Sequence, residues 1–307
     1  MEANRRLDRF TGAMLGFAVG DALGSQGEKV RPLTFAEGPF GTGAITACTQ
    51  QMVAQAVTEF GRFEEGHLKF RLGKWMKNSD EGVKAAREAL EHTAEACRRL
   101  YRGESPAASS SPCCDAAARA LPIGLMRLDN PRMVIEESRG QAAVTHRDSR
   151  AEAGACAFAL CAASVLMAGG DLDPVRMIAE TAELIHGVNR EMAERLGELP
   201  ALLEGAGGGY HSTGNPCASE EAVPAALFSF FRSPGNFSGA VEDALKGEKC
   251  ASYTAAMAGS LAGAYKGVEG IPRELREKVE GRKYLENLGF RLYTLSPAFR
   301  STTRAPV

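Results

Sequence analysis

The side chains in this chain that could ligate, clamp or move protons gather where glycine and threonine interrupt helical patterning. The stretch "GTGAITACTQQMVAQAV", Gly41 to Val57, is built like a binding loop feeding a helix. Gly41 and Gly43 free the backbone, Thr46 or Thr49 is placed to cap, and Gln50 onward has a helical period. Where such a loop would carry acids, this one carries Ala47 and Cys48. Arg119 is a planar cation suited to a phosphate or carboxylate, and equally able to hold Asp115 or Asp21 inside a bundle. His146 follows Thr145 at a helix start, where it either contacts a ligand or caps and packs. Eight cysteines are present, at 48, 97, 113, 114, 156, 161, 217 and 250, and none forms a CxxC knuckle. Thiolates suit zinc, copper(I) or iron–sulfur rather than magnesium. The other roles open to them are a disulfide, a nucleophile, or plain small hydrophobes.

The elements that must position these groups are helical. Leu7, Phe10, Met14, Phe17 and Asp21 keep a three-to-four spacing, as do Leu68, Leu72, Trp75 and Met76. Ala85–Leu100, Arg150–Ala168, Pro174–His186 and Ser252–Lys266 read the same way, and alternating strand patterns are nearly absent. The expectation is an all-α chain forming one domain over residues 1–307. Gly12, Gly16 and Gly20 recur every four residues in the first helix, and Gly259, Gly263 and Gly267 do so near the other end. Glycine costs about 1 kcal/mol against alanine in a helix. Two such stripes therefore call for close backbone packing, in the simplest case against each other, which would bring both ends of the chain to one site. Long loops at "EKVRPLTFAEGPFGTG", "RGESPAASSSPCCD" and "EGAGGGYHSTGNPCAS" exceed what helix connections need. Gly207–Gly209 reads as a lid or as a plain linker.

Composition bounds the function class. The 307 residues are 44% hydrophobic and 24% charged, with a formal net charge of −2. That balance gives no electrostatic footprint for nucleic acid or an anionic membrane. The apolar run Ala153–Gly170 is rich in alanine and glycine and reads as a core helix rather than a membrane span. No leader pattern opens the sequence, so the expectation is a reduced, cytoplasmic setting.

Five blocks in order resemble the ADP-ribosylglycohydrolase family. "GFAVGDALGSQGE" is similar to its Gly-Asp-Ala-Leu-Gly helix end followed by a glutamate, and "GTGAITACTQQM" to its Thr-Asp-Asp-Thr metal loop. "SPCCDAAARALPIG" resembles its Gly-Asn-Gly loop, "VTHRDSRAEAGACAFA" its Thr-His helix start, and the segment from Asn236 to Gly267 its Asp-x-Asp-Thr block and glycine helix. The resemblance spans about residues 9–267 and implies an orthogonal multi-helix bundle with a loop-lined cleft. Residues 270–307 read as an extension, partly helical and then irregular.

Family members hold two magnesium ions, or sometimes manganese, with carboxylates. Here Thr46 is kept, but the acids after it become Ala47 and Cys48; the far pair becomes Cys250 and Ser252, and the next threonine becomes Tyr253. Glu248 is two residues off the expected position. Magnesium demands hard oxygen donors, so no metal and no cofactor is expected. Four of the eight cysteines fall on family site positions: Cys48, Cys113, Cys114 and Cys250. The resemblance implies Glu28 as general base or water-orienting acid, with a solvated loop acid as the bland alternative. It places Asp21, Thr46, Cys48, Cys114, Asp115, Arg119, His146, Cys250, Ser252 and Tyr253 around the ligand. Two functions stay open. One is a metal-independent glycoside hydrolase acting as a monomer on an ADP-ribose-, NAD- or nucleoside-type ligand, the reading toward which the sequence leans. The other is a catalytically inactive relative with a binding, regulatory or crystallin-like structural role.

Overall fold

A computed structural model describes residues 2–26, 33–37, 41–58, 63–80, 87–104, 108–205, 210, 216–246 and 250–299. Glu28, Gly207–Gly209 and Glu248 lie outside the described residues. The described chain is helical, with no sheet and only two isolated bridges, Ser109 to His146 and Cys113 to Ala218. Helices run in the order α1 (Glu2–Gly24), α2 (Ala47–Thr58), α3 (Glu65–Asp80), α4 (Glu91–Arg102), α5 (Asp115–Ala118) and α6 (Leu121–Met126). There follow α7 (Pro131–Ala143), α8 (Ser149–Met167), α9 (Pro174–Ile185), α10 (Arg190–Glu204) and α11 (Ser219–Arg232). The last are α12 (Phe237–Ala244), α13 (Ala251–Lys266), α14 (Arg273–Lys278) and α15 (Arg282–Leu295).

Local chemistry sets the helix starts. Asn130, Asp148, Asp173, Asn189 and Asn236 each accept a hydrogen bond from a backbone N–H in the first turn of the following helix. Each satisfies one of the donors a helix start leaves orphaned. The apolar run is α8, buried along most of its length in the centre of the bundle. The helix expected over 85–100 begins only at Glu91 in the described residues. Glu88 adopts a left-handed φ of 55° and Ala89–Leu90 are non-helical, so the described residues just before Glu91 form a turn.

α1 and α13 form the central pair, and glycine sets their separation. A Cβ on Gly16 would fall inside contact distance of the Gly259 carbonyl, one on Gly20 would meet Ala255, and one on Gly263 would meet Gly12. The two glycine stripes do face each other. Only backbones without side chains pass this closely, and the crossing carries Asp21 and Gly24 of α1 to Ser252 at the start of α13. The described residues beyond 270 pack into the core. Leu285, Leu288 and Leu292 of α15 are buried, and Tyr293 meets Phe10 of α1 edge-on at 5.5 Å. A smaller cluster of Leu68, Leu72, Met76 and Cys97 joins α3 to α4.

Candidate functional site

Asp21, at the end of α1, is fully buried and points at the start of α2. Its Oδ2 accepts from the Thr46 and Thr49 backbone N–H groups at 2.9 and 3.1 Å and from the Thr49 hydroxyl at 2.5 Å. Its Oδ1 accepts from the Thr46 hydroxyl at 2.6 Å. A carboxylate from another helix thus caps α2, while Thr46 Oγ1 also accepts from Cys48 N at 3.2 Å. Negative charge at a helix N-terminus is favourable. Burial nonetheless raises the Asp21 carboxyl above the ordinary carboxylate range, against the four lowering hydrogen bonds.

Asp115 begins α5 at the other side of the site. Thr93 of α4 donates its hydroxyl to Oδ2, and His146 Nε2 lies 3.0 Å from Oδ1, close enough for an ion pair though off the line of a hydrogen bond. Burial alone would raise this carboxyl; His146, Arg119 and Thr93 more than offset it and hold it at about 2. A polar chain continues inward. His146 Nδ1 and Thr145 Oγ1 are 2.8 Å apart, and Thr145 Oγ1 accepts from Arg119 at 2.6 Å. Arg119 also donates to Gln141 Oε1 at 2.6 Å, Gln141 O at 2.8 Å and Gln51 Oε1 at 3.1 Å. Gln141 donates in turn to Ala116 O at 2.7 Å. The guanidinium is therefore wholly buried and turned to neutral acceptors, with Asp115 acting on it as a nearby opposite charge.

Between these two acids stand three buried side chains. Cys48, Cys114 and Tyr253 are all at most 2% exposed. Burial pushes the Cys48 and Cys114 thiols well up, and Asp115 adds to both, which makes them inert as thiolates. Burial likewise raises the Tyr253 phenol well above its usual range, with Asp115, Cys48, Cys114 and Asp21 all contributing. Tyr253 thus sits among those four groups, and among the described residues its hydroxyl has no hydrogen-bond partner. Ser252, next to it, is buried. Cys250 departs from the expectation of reduced thiols, because it is joined to Cys217 in a disulfide with Cα atoms 5.3 Å apart. Residue 250 therefore offers no free thiol to a ligand. The half-cystine Cys217 was not singled out in advance, since nothing in a 33-residue separation marks the pair.

Asp21, Thr46, Cys48, Cys114, Asp115, Arg119, His146, Ser252 and Tyr253 thus come together in one buried assembly, with Cys250 at its edge. Glu28, outside the described residues, is the exception. Among the described residues no three His, Cys, Asp or Glu side chains converge closely enough to hold a metal ion. Sequence reasoning missed Thr93, Gln51 and Gln141, which complete the polar chain, and Glu88. Glu88 is exposed in its left-handed turn, yet partial burial of its carboxyl and the charge of Asp21 both raise its pKa. Its neighbour Arg87 accepts the Ala47 N–H at its carbonyl, 2.7 Å away, which lays this turn across the start of α2. The helical period over residues 85–100 gave no signal for it.

The sequence pattern of the ADP-ribosylglycohydrolase family matches residues 1–300. An uncharacterized protein of Archaeoglobus fulgidus is 29% identical over 94% of this chain and 97% of its own length. The ADP-ribosylarginine hydrolase Tri1 of Pseudomonas putida is 27% identical over 95% of this chain and 79% of its own. A solved structure described as an ADP-ribosylglycohydrolase-related protein complex superposes with a TM-score of 0.74 at 24% identity, covering 95% of this chain and 99% of that one. That likeness concerns the fold.

Proposed function

Because this chain belongs to the ADP-ribosylglycohydrolase family, we propose that it binds an ADP-ribose-like or nucleoside-type ligand without carrying out dimagnesium hydrolysis. The observation that carries this reading is the commitment of Asp21. Its carboxylate is saturated by four hydrogen bonds from Thr46 and Thr49, which leaves little capacity for a cation. The other donors do not suit magnesium either. Ala47 has no donor, Cys48 is a buried protonated thiol, Cys250 is in a disulfide, and Tyr253 places a ring beside them. Magnesium needs near-octahedral hard oxygens, so no step is assigned to it here.

What the residues do instead is hold a shape. Asp21 fastens the α2 loop, and the chain from Asp115 through Arg119 fastens α4, α5 and α7 around it. Buried hydrogen-bond networks of this kind rigidify the segments they join. A rigid loop cluster suits binding, because little conformational entropy remains to be lost.

A metal-independent glycoside hydrolase is the second reading, favoured by Glu88. A raised carboxyl on an exposed turn beside Asp21 is suited to general acid work, alongside the family-position glutamate Glu28. The purified chain, mixed with ADP-ribose with and without magnesium, separates the readings. Binding predicts a rise in melting temperature with ADP-ribose that magnesium does not alter, and no ADP-ribose released from ADP-ribosylarginine. Magnesium-dependent turnover overturns the proposal. Metal-free turnover that Glu28→Gln or Glu88→Gln abolishes establishes the second reading instead.

A further inference from the structure

The geometry points to a separate binding site, for an uncharged, flat heteroaromatic molecule, in a cavity of ≈ 470 Å³ between α2, α3 and the start of α15. Gln50 and Val53 line it from the face of α2 turned away from Cys48 and Met52, so it is distinct from the buried assembly above. Ile45, Val53 and Leu285 supply an apolar lining, and the aromatic side chains of Trp75 and Tyr284 also face it. The volume falls in the range of small-molecule sites, whose usual pattern is apolar and aromatic walls with a few placed polar groups.

The polar groups define what would be recognised. The Trp75 indole N–H donates to Gln50 Oε1 at 2.9 Å, which occupies the amide oxygen and leaves Nε2 without a partner among the described residues. Glu280 Oε2 accepts from Arg87 at 2.6 Å and from Ile45 N at 3.1 Å, while its Oε1 makes no such bond among the described residues. The cavity therefore offers one free donor and one free acceptor, with the Asn78 amide beside them. Arg87 balances the Glu280 charge, so the acceptor asks for a neutral N–H rather than a cation, and an anion gains no counter-charge from it. A flat ring carrying an N–H donor and a ring-nitrogen or carbonyl acceptor answers both groups while packing against the aromatic walls.

Trp75 is the single tryptophan of the chain, so its emission reports this cavity without interference. Titration of the full chain with benzimidazole, a neutral bicycle with one N–H and one ring-nitrogen acceptor, changes Trp75 emission saturably. 1-Methylbenzimidazole, which lacks the donor for Glu280 Oε1, binds about fivefold more weakly. Tyr284 is 53% exposed, so Tyr284→Ala keeps the circular dichroism and melting temperature of the parent and weakens benzimidazole about tenfold. No saturable change at millimolar benzimidazole overturns the site. An equal response to cyclohexanol, or an unchanged affinity in Tyr284→Ala, overturns it as well.

Discussion

Asp115 and Arg119 show how much of this protein's stability is electrostatic bookkeeping inside a closed site. The Asp115 carboxyl is held at about 2 against an ordinary 3.8. Its ionised form is therefore stabilised by folding; the contribution is complete above about pH 4 and is lost as pH falls toward about 2. It amounts to about 2 kcal/mol. Asp115→Asn should remove this part of the acid slope in urea unfolding followed between about pH 6 and about pH 3. At the upper end it should also cost about 3–5 kcal/mol, because the buried Arg119 charge loses its counterpart. Tyr253 predicts the opposite sign. Its buried hydroxyl has no partner among the described residues, so Tyr253→Phe should stabilise the free protein by about 1 kcal/mol in the same assay. These two positions were legible from the family pattern, because motif order alone places them. The partners of Arg119 were not, since Gln51 and Gln141 lie 68 and 22 residues away and glutamine carries no motif.

At the scale of elements, the α1–α13 pair was readable because glycine every four residues has few explanations inside a helix. The turn before α4 was not readable. Ala85–Leu100 has a helical period, and only the left-handed Glu88 ends it; a non-glycine residue gives no warning of a positive φ. The glycine pairing makes a sharp prediction. Gly16→Ala inserts a methyl into the Gly259 carbonyl, which is backbone and cannot swing aside. The helices must part, at a cost of about 3 kcal/mol in urea unfolding. Gly66 of α3 has nothing within 4 Å of its added Cβ, so Gly66→Ala should instead stabilise by about 0.5–1 kcal/mol through helix propensity. Equal effects at both positions would mean that propensity, rather than close packing, governs the stripe.

For the whole molecule, the Cys217–Cys250 disulfide joins what the helix crossing alone leaves loosely connected. Cys217 O accepts from Cys114 N at 2.9 Å, and Ser219 N donates to Pro112 O at 2.8 Å, so the 216–219 turn is already strapped to the loop before α5. The disulfide ties that turn to the start of α13, where Ser252 meets the end of α1. One covalent bond thereby links the Asp115 side of the site to the Asp21 side. Closing a loop of 33 residues removes unfolded-state entropy worth about 3–4 kcal/mol. Cys217→Ser/Cys250→Ser should lose about that much against the oxidised parent, and treating the parent with a dithiol reductant should reproduce the loss. Cys250 sits at φ 57° as the residue before α13, a conformation that costs a non-glycine residue about 1–2 kcal/mol. Without the disulfide that conformation gains nothing from serine, so Cys217→Ser/Cys250→Gly should recover about 1 kcal/mol of the loss. Recovery of the full loss by glycine would assign the effect to backbone strain and not to the cross-link. No recovery would mean that α13 starts differently once the bond is cut, which hydrogen exchange at Ser252–Thr254 would register as lost protection.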